Sequence, residues 1–146
     1  MPTRIYINHC AAGNLYIADS FDNEVRMVSA NTGIITSVAG NGKQGYSGEN
    51  GPATSASLQE PYSLAFDNAG NLYIGSLTLG RVCKVAAATG IVTTVAGNGN
   101  PYGSSGDGGL ATAAEVDPYG LALDSARTCT SRTGLAWCAK SPRAAA

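Results

Sequence analysis

Charge is scarce in this sequence: Asp, Glu, Lys and Arg together make up 13% of 146 residues, against roughly 25% in an ordinary globular protein. Histidine occurs once, at His9. A single imidazole cannot build a catalytic zinc site, which takes three protein ligands, and the same shortage weighs against a nucleophile–His–acid constellation. The four cysteines, at 10, 83, 129 and 138, have no C-x-x-C spacing, so they frame neither a zinc site nor a disulfide scaffold and read as incidental thiols. No apolar run approaches the ~20 residues of a membrane span, and Met1-Pro2-Thr3-Arg4 leads into no signal-peptide core. The chain carries no readable address, and its localisation stays open.

What is present is repetition. Gly13-Asn14-Leu15-Tyr16-Ile17-Ala18-Asp19 returns as Gly70-Asn71-Leu72-Tyr73-Ile74-Gly75-Ser76, 57 positions later. The same displacement carries Thr32-Gly33-Ile34-Ile35-Thr36-Ser37-Val38-Ala39-Gly40-Asn41-Gly42 onto Thr89 to Gly99. It also carries Pro61-Tyr62-Ser63-Leu64-Ala65-Phe66-Asp67 onto Pro118 to Asp124. Three blocks sharing one period form an internal repeat, and a repeat fixes architecture before any single residue does.

Each repeat parses into four short strands, which in the second copy lie at about 62–67, 71–75, 81–86 and 91–96. Asn68-Ala69-Gly70 supplies a tight hairpin turn between the first two. Leu64-Ala65-Phe66 and Leu72-Tyr73-Ile74 are apolar on both faces, so each inner strand must lie between two sheets. Four-stranded antiparallel units stacked through their inner strands are propeller blades. The predicted fold is therefore all-β, a partial β-propeller over 1–126 with an irregular C-terminal tail over 127–146.

With these motifs in order, the chain resembles the NHL repeat of β-propellers across roughly 13–124. A complete NHL propeller usually has about six blades, so the resemblance implies a fragment: two copies and the first strand of a third. The departures matter. NHL repeats commonly pair an Asp after the second strand with an Arg opening the third. Here the first copy has Asp19 but Glu24, and the second has Arg81 but Ser76, so neither blade keeps both partners. The segment from Arg4 to Ala12 does not match Pro61 to Ala69, which leaves the first strand of the first blade in doubt.

Between blades runs a long loop, present twice, from Gly40 to Thr54 and from Gly97 to Thr112. Its Gly, Ser and Asn content reads as a surface excursion, with one helical turn expected near Ala53–Leu58. Tyr46 and Tyr102 sit near matching places in the two loops and are the candidate partner contacts, because tyrosine at a loop tip is a favoured interface anchor. Tyr62 and Tyr119, at strand starts, read as packing residues. Glu49 and Asp107 occupy matching places beside glycine. They are the candidate metal ligands for a calcium loop, although one carboxylate per loop falls short of six to eight oxygens. The other reading is a solvated carboxylate that stabilises its turn.

The resemblance also reaches NHL-type amidating lyases, which use several zinc-binding histidines, and lactonase-like propellers, which hold a metal between blades. This chain lacks the first set and holds only part of a ring for the second. RNA recognition, known among animal NHL propellers, needs a basic face. The residues up to Asp124 carry all ten acids and five bases. The expected function is a protein-interaction or scaffold module with a protein partner, no cofactor and no catalysis of its own. The alternative is a fragment of a propeller hydrolase or lyase whose catalytic residues lie in other blades. Open blade faces also predict self-association.

Beyond Asp124 the balance flips to Arg127, Arg132, Lys140 and Arg143 with no acid. There the repeat demands N-L-Y-I-A-D, and the chain reads Arg127-Thr128-Cys129-Thr130-Ser131-Arg132-Thr133 instead. Codons for these residues, read from the third base of each into the next, permit N-L-Y-I-A-D in the required place. The stretch Ala136 to Ser141 likewise permits V-V-R-K-V. The tail reads as a frameshifted, unpacked blade, with a natural disordered tail as the alternative.

Overall fold

A computed structural model of the chain describes residues 5–9, 13–123, 129–132 and 136–138, with backbone alone described for 5–9, 129–132 and 136–138. Strands β1 (Ile5–His9), β2 (Leu15–Asp19), β3 (Glu24–Val28) and β4 (Ile35–Ala39) form one antiparallel sheet in sequence order. A hairpin of β5 (Tyr46–Ser47) and β6 (Ser57–Leu58) follows. Strands β7 (Pro61–Phe66), β8 (Leu72–Ser76), β9 (Arg81–Val85) and β10 (Val92–Ala96) make the second four-stranded sheet. Finally β11 (Leu121–Leu123), β12 (Cys129–Arg132) and β13 (Ala136–Cys138) make a third sheet of three strands. The molecule is an all-β partial propeller, and each expected strand of the second blade lies within one residue of its observed bounds.

The period governs register as well as order. His9 pairs with Leu15 in the first blade, Phe66 with Leu72 in the second, and Leu123 with Cys129 in the third, each pair 57 positions beyond the last. The doubt over the first strand is thereby corrected. Ile5–His9 completes its blade without sequence likeness to Pro61–Phe66, because strand pairing is made by backbone groups that every residue carries. The expectation of an irregular tail is corrected for two segments, Cys129–Arg132 and Ala136–Cys138, which pair as strands. The rest of 127–146 lies outside the described residues.

The core lies between the first two blades. Ala18, Val25 and Ala39 of the first, and Leu64, Leu72, Ile74, Cys83, Val85 and Val92 of the second, are buried in one cluster. Tyr16 and Phe66 pack across it with ring centroids 4.5 Å apart. Serine hydroxyls stitch the stack, Ser20 Oγ donating to the carbonyl of Pro61 at 2.5 Å. The outer strand β10 does not keep strict alternation, because its register with β9 shifts between Thr94 and Ala96: Val92, opposite Val85, is buried in the core cluster, while Ala96, opposite Val82, is buried outside it.

The first inter-blade loop runs over the surface as expected, with Lys43, Gln44 and Ser47 to Asn50 exposed, but its far end is anchored in the core. Ala53, Ala56 and Leu58 are each 2% exposed or less and belong to the core cluster. A short 3-10 turn spans Ala53–Ser55, in place of a helical turn running to Leu58. The approach depends on Gly48, whose backbone has φ of 85° and where a Cβ would stand 2.8 Å from Ala56 Cα. Only glycine fits such a place without strain.

Candidate functional site

Both inter-blade loops are built on one frame. In the first, Gly40 N–H donates to Ala53 O at 2.9 Å, Asn41 Nδ2 to Ser55 O at 2.9 Å, and Lys43 N–H to Asn41 Oδ1 at 3.0 Å. In the second, Gly97 N–H donates to Ala111 O at 2.9 Å, Asn98 Nδ2 to Ala113 O at 3.2 Å, and Asn100 N–H to Asn98 Oδ1 at 2.8 Å. A 3-10 turn at Ala111–Ala113 repeats the one at Ala53–Ser55. Within the frame the offset becomes 58: Gly48 faces Ala56 as Gly106 faces Ala114. The offset returns to 57 at Pro118. Glu49 and Asp107 are therefore true counterparts, as the sequence reading has them.

Tyr46 and Tyr102 are not counterparts. At the 58 offset Tyr46 corresponds to Ser104. Tyr102 takes the place of Gly45, and both have left-handed backbone, at φ of 65° and 103°.

The first loop grips the outer strand of the second blade. Asn50 N–H donates to Val92 O, Val92 N–H to Gly51 O and Ala53 N–H to Gly90 O, at 2.9, 3.0 and 2.9 Å, with a bridge between Pro52 and Ile91. Glu49 accepts from Thr94 N–H at 2.7 Å and Thr94 Oγ1 at 2.9 Å, and from the Tyr46 hydroxyl. The Arg81 guanidinium lies 4.6 Å over the Tyr46 ring and donates to Gly97 O at 3.3 Å and Asn98 O at 3.1 Å. Both candidate residues of this loop are thus engaged within the chain. Tyr46 is half-buried against the core rather than presented to a partner. The carboxylate of Glu49 ties its own loop, through Tyr46, to the neighbouring blade, through Thr94. Beneath this grip lies Cys83, opposite Thr94 in the β9–β10 ladder. Burial, and secondarily the charge of Glu49, push its thiol up to about 11.

The second loop is as ordered but open. Glu115 accepts from Ser105 Oγ at 2.8 Å and from Asn100 Nδ2, and these bonds hold its carboxyl below the ordinary value. Glu115 N–H donates to Ser105 O at 2.9 Å, as the β5–β6 pair does between Ser47 and Ser57. On this frame Tyr102 and Leu110 are each 71% exposed. Asp107 is exposed. Leu110 was not among the sequence candidates; an apolar residue inside the run Gly108-Gly109-Leu110 was the signal. Tyr62 and Tyr119 pack edge to face at 5.5 Å, as expected for packing residues. Among the described residues no group of three His, Cys, Asp or Glu side chains converges as a metal site would require. His9 lies in β1, where backbone alone is described.

The blades and their stacking define a propeller-type protein, and solved structures agree. A structural genomics protein of unknown function from Bacteroides thetaiotaomicron superposes with a TM-score of 0.73 at 22% identity, over 87% of this chain and 32% of that one. An auxiliary nutrient binding protein from Bacteroides ovatus gives 0.66 at 22%, over 87% and 34%. Virginiamycin B lyase from Staphylococcus aureus gives 0.57 at 14%, over 88% and 34%. At these identities the likeness speaks for the fold alone. The chain spans about a third of the length of each of these three proteins. No protein-family model matches the chain, and no curated protein does.

Proposed function

We propose that this chain is part of an NHL-like β-propeller that acts as a protein-interaction or scaffold module, with no catalysis of its own. The observation that carries this reading is the second loop, where Tyr102 and Leu110 stand 71% exposed on a frame fixed by Asn98, Asn100, Ser105 and Glu115. A rigid loop that already presents an aromatic anchor loses little conformational freedom on binding. Open blade faces add self-association. Ile74 is buried at 1% exposure, whereas Ile17, one repeat earlier, is half-buried on the first blade.

The test is partner capture by the chain in its native context, followed by Tyr102→Ala. Loss of the partner with an unchanged melting curve supports the reading; retention of the partner by both Tyr102→Ala and Leu110→Ser overturns it. A second reading, a fragment of a propeller lyase, is favoured by the fold shared with virginiamycin B lyase. Coding sequence on either side decides between them: His and Asp at further blade mouths favour the lyase, and more blank repeats favour the scaffold.

A further inference from the structure

Arg81 opens β9, and the Asp that NHL repeats commonly set beside such an arginine is Ser76 here. Its hydroxyl donates to Gln59 O, and it offers the guanidinium no carboxylate. Arg81 goes instead to both inter-blade loops. Its guanidinium carbon lies 4.6 Å over the ring of Tyr46, from the first loop. Its two amino groups donate to the second loop, Nη1 to Gly97 O at 3.3 Å and Nη2 to Asn98 O at 3.1 Å. Gly99 closes on the same group. A Cβ there would stand 2.6 Å from Nη2 and 3.2 Å from Cζ and Nε, so a side chain at 99 would displace the guanidinium.

The residues held at each end are themselves fixed. The Tyr46 hydroxyl is bonded to Glu49 and Thr94. Asn98, whose carbonyl Arg81 holds, donates its N–H to Ala114 O at 2.9 Å and its Nδ2 to Ala113 O at 3.2 Å, and accepts Asn100 N–H on Oδ1 at 2.8 Å. Only Pro101, with its locked φ, separates Asn100 from the exposed Tyr102. One repeat earlier the place of Arg81 is taken by Glu24. A carboxylate has no proton to give the carbonyls of Gly40 and Asn41, and Glu24 accepts from Ser37 Oγ at 2.5 Å instead. The first loop therefore has the asparagine frame without the clamp.

We infer that Arg81 is a positioning residue that couples the two inter-blade loops: seated on Tyr46 of the first, it holds the Gly97–Asn98 corner of the second and so sets how Tyr102 is presented. The inference rests on the binding reading above, from which Tyr102 takes its role. A planar fork suits the task, because one group must meet a ring with its face and two carbonyls with its edge.

The experiment is amide hydrogen exchange of the full chain, read by NMR and corrected for neighbouring residues. The reporters are Asn100 N–H and its counterpart Lys43 N–H, which is bonded to Asn41 Oδ1 at 3.0 Å. In the native chain Asn100 should exchange about tenfold more slowly than Lys43, the worth of a charge-assisted hydrogen bond. Arg81→Lys should bring Asn100 to the Lys43 rate, since an ammonium is a point charge and not a fork. Tyr46→Leu, which leaves Arg81 in place, should speed Asn100 about threefold through loss of the ring face. Amides of the β7–β8 ladder should keep their rates in both variants. Equal native rates for Asn100 and Lys43, an Asn100 rate indifferent to Arg81→Lys, or a rise shared by the β7–β8 ladder overturns the inference. If exchange behaves as expected while Tyr102→Ala and Leu110→Ser both keep the partner, the binding reading falls and the clamp stands. If exchange fails while Tyr102-dependent capture persists, the clamp falls alone.

Discussion

Ser63 donates its hydroxyl to the carbonyl of Pro118 at 2.9 Å across the face between the second and third blades. The bond exists because Gly75 has no side chain. A Cβ there would stand 2.4 Å from Ser63 Oγ and 3.0 Å from Pro118 O. In the first blade the equivalent position is Ala18, fully buried. Gly75→Ala should therefore destabilise the chain by about 1–3 kcal/mol, the range for overpacking a filled interior. Ser63→Gly in the same chain should recover part of the loss. Chemical denaturation of the single and double variants checks this.

Glu49 holds the second blade from outside. Glu49→Ala should cost about 1 kcal/mol, the ordinary worth of net hydrogen bonding at a wet site. Thr94→Val should cost a similar amount, and the double variant should lose less than the two together, because they remove one interaction. Asp107→Ala, whose carboxylate is free among the described residues, should leave stability unchanged. Equal losses for Glu49→Ala and Asp107→Ala would contradict this account.

Cys83 should be chemically silent in the folded protein. Its thiol is buried and pushed up to about 11, and the thiolate is the species that reacts. With Cys10, Cys129 and Cys138 replaced by serine, labelling at pH 8 should be negligible in buffer and complete in denaturant. Rapid labelling of the folded chain would show that the β9–β10 ladder opens readily.

Acid should weaken the second blade through Asp67. Burial acts to raise its pKa, but hydrogen bonds from Asn71 (side chain and backbone), Ala69 and Tyr73 outweigh this and leave it below the ordinary 3.8. The contacts are Ala69 N–H at 3.0 Å, Asn71 N–H at 2.9 Å and Asn71 Nδ2 at 2.7 Å. A carboxyl with lowered folded pKa contributes stability that is full above its unfolded value and is lost as pH falls through the folded one. Below about pH 4, the native chain should lose stability faster than Asp67→Asn. Parallel acid slopes for the two proteins would remove Asp67 from the explanation.

The gene should carry a shifted reading frame after the codon for Ala126. Leu123 and Cys129 pair in the register that Phe66 and Leu72 use, while Arg132 pairs with Ala136, four positions on, where Ser76 pairs with Arg81, five positions on. The nucleotide sequence decides. Codons that cannot spell Leu-Tyr-Ile-Ala-Asp in the shifted frame end the idea, and a single-base correction that restores the repeat establishes it.

The blades were legible because Leu72, Tyr73 and Ile74 repeat Leu15, Tyr16 and Ile17, and side chains that fill the same space recur at the same period. Ile5–His9 was not, since its pairing uses backbone alone and leaves no mark on residue choice. Nor was the grip of the first loop. Glu49 and Thr94 are separated by 45 positions, and nothing local to either names the other. Tyr46 looked like a free anchor because sequence shows an aromatic among glycines, and only the fold brings Arg81 over its ring. The correspondence of Glu49 with Asp107 was readable from the adjoining glycines, whereas between Tyr46 and Tyr102 lies an insertion that moves the offset from 57 to 58 and that the sequence does not mark.

The grip runs one way along the chain, from the loop that leaves one blade to the margin of the blade that follows. Overlapping courses of that kind come apart in a preferred sequence. Peeling β10 away from the C-terminal side must first break its seam with Asn50, Gly51 and Ala53, while β4 has no such seam among the described residues. A chain stretched between its ends would yield at β4 under low load and hold at β10 until a higher one, so its force trace would carry a polarity that two similar repeats, taken singly, do not have.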